Sequence, residues 1–243
     1  MNNVRTVSDT KRAFYTIHTR PINSIYRRVV EELMVEMHLL RVNEDFRYDP
    51  IFALGVVTSF DRFMQGYRPE QDKISIFNAI CRAQESDPGR YQQDAKRLQE
   101  LVTPKSIDEL MIWLAQAVSD GGDELQSQLQ AIATNPKFKY NRLFAIGLFT
   151  LLELADSDLV KDEARLTEVL QQICKSMNLP ETKLQKDLEL YRSNLEKMIQ
   201  ARKTLEDIQA ADRKRRQQAA SAKDGLDSLS TSTDSQSAAE TSN

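Results

Sequence analysis

The sequence predicts an all-α protein: a bundle of about eight or nine helices, then a long coiled-coil-like C-terminal helix and a disordered tail. Three observations carry this expectation. Helix breakers are scarce, with 7 Gly and 7 Pro among 243 residues, below the ~7% and ~5% of ordinary proteins. Apolar residues recur at spacings of three and four along most of the chain, which is helical periodicity. No stretch alternates strictly between apolar and polar between turn signals, as a half-buried strand would.

The elements follow in order. Ser8 is a capping residue for a short amphipathic helix reaching His18, with Ala13, Phe14 and Ile17 as its apolar patch. Residues 1–28 hold Arg5, Lys11, Arg12, Arg20, Arg27 and Arg28 against Asp9 alone. A basic amphipathic stretch can lie on an anionic surface. The small apolar face favours the alternative, a helix docked on the domain with its charges solvated. Pro21 or Ile22 begins the second helix, which runs to about Val42. Its stripe is Ile25, Val29, Leu33, Met37 and Leu40, widened by Ile22, Tyr26 and Val30, with Arg27–Glu31 and Arg28–Glu32 paired at i,i+4 on the other face.

Asp49-Pro50 combines a cap with a first-turn proline and opens a helix carrying Phe52, Val56, Phe60, Phe63 and Tyr67. Ile51 to Val57 is apolar all round, so this helix is expected to be central. Further helices are read from Asp72 to Ser86, from Asp87-Pro88 to Leu101, from the capping box Ser106 to Glu109 up to Gly121, and from Asp123 to Thr134. Asn141 to Ala155 is the second strongly apolar helix. It contains Gly147, as the Asp49 helix contains Gly55. A helical glycine costs up to ~1 kcal/mol against alanine, and close approach of another helix is the expected return at one or both. The expected core is Phe52, Val56, Phe60, Leu143, Ile146 and Phe149. Asp162 to Met177 follows. Pro180 then opens the last helix, with a heptad-like seam of Leu184, Leu188, Tyr191, Leu195, Met198, Arg202, Leu205 and Gln209.

The expected organisation is therefore a bundle over 1–179, a coiled-coil-like helix over 180–220 and a Ser/Thr-rich disordered tail over 221–243, which has too little apolar content to offset ordering entropy. The seam is narrower than a core helix requires. Its first half, Leu184 to Leu195, is expected to lie on the bundle. The part from Met198 to Arg216 is expected to be partner-facing, through Met198, Arg202, Leu205, Arg213, Arg215 and Arg216, with the Arg27 and Arg28 face as the second candidate.

Lys+Arg totals 33 and Asp+Glu 36, a net charge of -3, unlike the basic balance of a nucleic-acid binder. The Tyr26-Arg27-Arg28 and Arg213–Arg216 clusters lack interleaved aromatics and read as solvated helix faces. The longest apolar run, Leu143 to Leu152, is half the ~20 residues of a membrane span, so any membrane association is expected to be peripheral. Met1 to Ile17 lacks a secretory apolar core. No Gly-rich phosphate loop or nucleophile elbow occurs. His18, His38 and Glu36 do not make the Glu-x-x-His spacing of a di-metal bundle. Cys81, Cys174 and Trp113 read as core, and Glu153 as reaching solvent or a basic partner. No catalytic residue, cofactor or metal is assigned.

Several strings carry a resemblance. They are Thr6-Val7-Ser8-Asp9-Thr10-Lys11-Arg12-Ala13-Phe14, the stretch from Pro21-Ile22-Asn23-Ser24-Ile25-Tyr26 through His38-Leu39-Leu40, Tyr48-Asp49-Pro50-Ile51-Phe52-Ala53-Leu54-Gly55-Val56-Val57, and Phe60-Asp61-Arg62-Phe63-Met64-Gln65-Gly66-Tyr67. Over roughly Val4 to Leu205 the chain resembles the thylakoid-formation protein family of cyanobacteria and plastids, also described as photosystem II biogenesis factors. The resemblance implies a non-enzymatic, all-helical auxiliary protein of thylakoid and photosystem II biogenesis and repair. It implies binding to, and support of, the thylakoid FtsH protease complexes. The implied place is the cytoplasmic face of the thylakoid membrane, held peripherally, and the soluble cytoplasm. Photosystem II assembly intermediates are a further implied partner. The sequence looks like a cyanobacterial member or a mature form. The alternative function is a pigment- or lipid-binding carrier, which would need a large apolar cavity.

Overall fold

The computed structural model describes residues 5–120, 122 and 124–234; at some positions, Arg216 among them, it describes the backbone alone. Ten α-helices and no strand occur among the described residues. They are α1 (Val7–Ile17), α2 (Ser24–Arg41), α3 (Pro50–Phe63), α4 (Glu70–Ala83), α5 (Pro88–Val102), α6 (Ile107–Asp120), α7 (Glu124–Thr134), α8 (Arg142–Ala155), α9 (Glu163–Ser176) and α10 (Glu181–Asp234). A short 3-10 turn, Leu159–Lys161, precedes α9. The chain divides into two units, Met1–Leu195 and Glu196–Asn243.

The first unit is built around α3 and α8, which pack on each other more extensively than any other pair; α5 covers α3, α6 packs with α7, and α1 lies on α2 and α4. The crossing of α3 and α8 is set by two glycines. A Cβ on Gly55 would run into the carbonyl oxygen of Leu143, and one on Gly147 into that of Ile51. Each helix therefore carries its glycine where the other's backbone passes, as expected of an apolar helix that tolerates this residue. Phe52, Val56, Phe60, Leu143, Ile146 and Phe149 are all buried around this crossing. Phe60 packs against Phe77 of α4 with ring centroids 5.1 Å apart.

Most helix starts use the residues the sequence predicts. Asp49 caps α3 through the Phe52 N–H at 2.8 Å, Asn141 caps α8 through the Phe144 N–H at 2.9 Å, and Ser106 and Glu109 bond reciprocally at α6. Three starts differ. The cap of α1 is Thr6, not Ser8: Thr6 Oγ1 accepts from the Asp9 N–H and the Asp9 carboxylate accepts from the Thr6 N–H, a full capping box. Asn23, not Pro21 or Ile22, caps α2, accepting from the Ile25 N–H at 3.1 Å. The fourth helix begins at Glu70, because Asp72 is not a cap; it is buried and ion-paired with Arg20 at 2.7 Å. The buried stripe of α2 is also rotated. Tyr26, Val30, Leu33, Met34 and Met37 are inward, while Ile25 and Val29 are half-buried.

The root of α10 belongs to the first unit. Leu184, Leu188 and Tyr191 are buried there. Tyr140 donates its hydroxyl to Asp187 at 2.9 Å, and Lys183 sits 5.1 Å from the Tyr140 ring centroid. Helix α10 runs to Asp234, beyond the Ala220 limit read from the sequence. Residues 235–243 of the expected tail lie outside the described residues.

Candidate functional site

Arg27 and Arg28 lie on the outward face of α2 because Tyr26 and Val30 turn the opposite face into the bundle. They line an open groove of about 870 Å³ together with Lys11 of α1, Val35 and Leu39 of α2, and Arg142 of α8. Its charges alternate. Glu31 accepts from Lys11 Nζ and from the Tyr15 hydroxyl, both at 2.9 Å, and these bonds hold its carboxyl below the usual carboxylate range. Arg28 pairs with Glu32 at 2.8 Å, and Arg142 with Glu36 at 2.5 Å. Arg27 is exposed, and its charge also favours the ionised form of Glu31. Leu39 is 57% exposed beside them. Alternating charge with an exposed leucine offers polypeptide-type contacts, unlike the run of cations that a phosphate backbone needs.

Most of the basic excess of the first 28 residues is absorbed by the fold. Arg5 pairs with Glu85, Lys11 with Glu31, Arg12 with Asp9, Arg20 with Asp72 and Arg28 with Glu32. Phe14 of α1 is fully buried. The docked reading of this helix is the one observed, and most of its charge is matched within the bundle.

The other singled-out residues lie in the second unit, on α10. Met198, Arg202 and Leu205 are half-buried along one seam, with Arg202 Nε 3.8 Å from Glu206. Ile199 and Ile208 stand exposed nearby, at 45% and 54%. Arg213 and Arg215 are exposed. The side chain of Arg216 lies outside the described residues. The two candidate groups thus fall in separate units, and each surface stands by itself.

Sequence reasoning missed the residues that fasten the α10 root. Arg62 of α3 pairs with Glu153 of α8 and reaches the Tyr191 hydroxyl at 3.5 Å; Phe63 packs edge-on against the Tyr191 ring at 5.8 Å. Glu153 therefore meets a basic partner, the reading its apolar surroundings favoured. The signal for Arg62 was a cation near the end of an otherwise apolar helix, but its partners are remote in sequence. The other titratable groups are held in structural roles. Burial pushes the Cys81 thiol up to about 12 and the Cys174 thiol to about 11, so neither is a thiolate at neutral pH. Trp113 is in the core. His18 and His38 are buried apart from each other, bonded to Ser75 and Thr10. Among the described residues no group of three or more His, Cys, Asp and Glu side chains converges to hold a metal ion. No described helix is long and apolar enough to cross a membrane.

A bundle of helices with many of its polar groups held in caps and ion pairs, and no strand among the described residues, defines an all-helical protein. Comparison with known proteins gives its family. The profile of the family described as "Thylakoid formation protein" matches residues 6–220, and the chain belongs to this family. It is 64% identical to Protein Thf1 of Acaryochloris marina, over 95% of this chain and 94% of that one. It is 69% identical to Protein Thf1 of Cyanothece sp., over 90% and 92%. A solved structure of Psb29 superposes with a TM-score of 0.77 at 47% identity, covering 87% of this chain and 98% of the other. The family is named for thylakoid formation. The resemblance read from the Thr6–Phe14, Pro21–Leu40 and Tyr48–Tyr67 strings is borne out.

Proposed function

We propose that this protein is a non-enzymatic auxiliary factor of thylakoid membrane and photosystem II biogenesis and repair, which binds and supports the thylakoid FtsH protease complexes. The observation that carries the partner-binding reading is α10. Its root is buried in the first unit, whereas from Met198 its seam is only half-covered and carries Arg202, with Ile199 and Ile208 exposed. A narrow apolar seam of this kind suits one neighbouring helix. Few apolar residues give weak binding per copy, which a ring-shaped protease offsets by presenting several sites together. Family membership supports the thylakoid setting. The absence of a spanning helix among the described residues fits peripheral attachment, at the cytoplasmic face, with photosystem II assembly intermediates within reach. The carrier alternative is less favoured because the aromatic rings pack on one another, as in the edge-on Tyr48–Tyr91 and Phe46–Phe52 pairs at 5.2 and 5.0 Å.

Truncation after Leu195, compared with truncation after Ala220, tests the reading. The shorter chain is expected to keep its helical circular dichroism and lose FtsH co-purification from solubilised thylakoids. Equal FtsH recovery with both would move the contact to the bundle, where the Arg27/Arg28 groove is the next surface to alter. No recovery with the untruncated chain would overturn the FtsH reading itself.

A further inference from the structure

Both histidines of the chain sit at the contacts that hold α1 to the bundle. Near the start of the helix, Thr10 Oγ1 lies 2.9 Å from His38 Nδ1 of α2 in a buried contact. At its C-terminal end, His18 Nδ1 lies 3.0 Å from Ser75 Oγ of α4. His18 Nε2 is buried without a hydrogen-bond partner. Between these points Phe14 is fully buried, its ring 6.1 Å from the His18 ring.

We propose that α1 is a pH-sensitive strap, docked while both imidazoles are neutral and released from the bundle when they take up protons. A neutral imidazole has one donor and one acceptor; a protonated one has two donors. At His18 the extra donor falls on Nε2 or Nδ1, and Nε2 has no acceptor in reach. An orphaned charged donor in a buried contact is strongly unfavourable. At His38 the protonated Nδ1 only donates, and the new charge faces Arg5.

The surrounding charges oppose or assist in a definite way. His18 faces Asp72 of α4 and Arg20, and Asp72 is already paired with Arg20 at 2.7 Å. His38 faces Arg5 and Asp9. Burial is the main effect at both, pushing each imidazole below its ordinary value; Arg5 adds to this at His38 and Asp72 works against it at His18. The docked state thus binds fewer protons than the released one. Docking is fully favoured above about pH 6.5 and weakens as pH falls below it. The carboxylates tying α1 down do not share this window. Glu31, bonded to Lys11 and Tyr15, and Asp9, bonded to Thr6, are both held below the usual carboxylate range. Asp49 acts with the opposite sign: burial raises it to about 7 at the start of α3, so acid stabilises that site. The readout must therefore be local to α1.

Hydrogen–deuterium exchange of the full chain at pH 7.5, 6.5 and 5.5, corrected for intrinsic rates, tests the strap. The α1 amides are expected to exchange at least about tenfold faster at pH 5.5 than at pH 7.5, while those of α3 and α8 stay protected. In the His18→Asn/His38→Asn double variant, whose amides take the place of Nδ1 without titrating, that acid response is expected to vanish. Unchanged α1 protection in the wild type, or the same acid response in the double variant, would overturn the proposal. If the double variant already exchanges freely at pH 7.5, an NMR titration of the wild-type imidazoles decides. Titration below 6.5 with Phe14 ring signals shifting in step supports the strap. Titration at or above 6.5, or an unmoved Phe14, overturns it.

Discussion

Gly55 and Gly147 show how much one missing side chain decides. In an isolated helix each would be a weakness, and replacing either with alanine would gain up to ~1 kcal/mol of helix propensity. Here the neighbour of each is backbone, the Leu143 carbonyl for Gly55 and the Ile51 carbonyl for Gly147. Backbone cannot swing aside as a flexible side chain can, so α3 and α8 must separate to admit a methyl group. Separation loosens the packing around Phe52, Ile146 and Phe149. Gly55→Ala is therefore expected to destabilise the protein by roughly 2–3 kcal/mol net, despite the better propensity. Urea unfolding measures it. A variant as stable as the parent would mean that the two helices do not meet at this point.

At the scale of elements, α10 changes character along its length. Its root is part of the bundle, with Leu184, Leu188 and Tyr191 buried and Tyr191 joined to the Arg62–Glu153 pair. From Glu196 onward the helix belongs to the second unit. An apolar side chain stabilises in proportion to the area it removes from water. Leu188→Ala is thus expected to cost about 2–4 kcal/mol. Leu205→Ala, on the half-covered seam, is expected to change stability by less than about 0.5 kcal/mol. Parallel urea titrations compare them. If Leu205→Ala costs as much as Leu188→Ala, that stretch of seam is buried in the folded protein and is no candidate for a partner. The bundle helices show the same dependence on neighbours. Helix α2 turns Tyr26, Val30 and Met34 inward, about one position away from the stripe that spacing alone favours. The apolar residues on α2 are numerous enough to allow either rotation, and packing against α1, α3 and α4 selects between them.

For the whole molecule, the balance of charge bears on how it meets a membrane. Most of the basic excess at the N-terminus is matched by Glu31, Glu32, Asp72 and Glu85 in the fold. Attachment to thylakoids is accordingly expected to rest on protein partners and on screened surface charge. A wash at about 1 M salt, where the Debye length falls to ~3 Å, is expected to release it; retention through salt and alkaline washes would contradict peripheral attachment. The sequence by itself determined the helical class, most helix starts and the core of α3 and α8. These depend on short-range rules: a helix bonds each residue to its fourth neighbour, a cap reaches two or three residues, and apolar periodicity repeats every turn. The same rules pointed to Ser8 as the cap of α1, whereas Thr6 takes that place because Asp9 closes its box. Only tertiary structure decided that Gly55 meets Gly147, that Arg62 reaches Tyr191 across 129 residues and that Arg142 reaches Glu36 across 106. It also decided that both histidines face α1 contacts and that the bundle continues into α10 as far as Leu195. Such contacts join residues remote in the chain, and no local pattern distinguishes a cation or glycine that has found its partner from one that faces water.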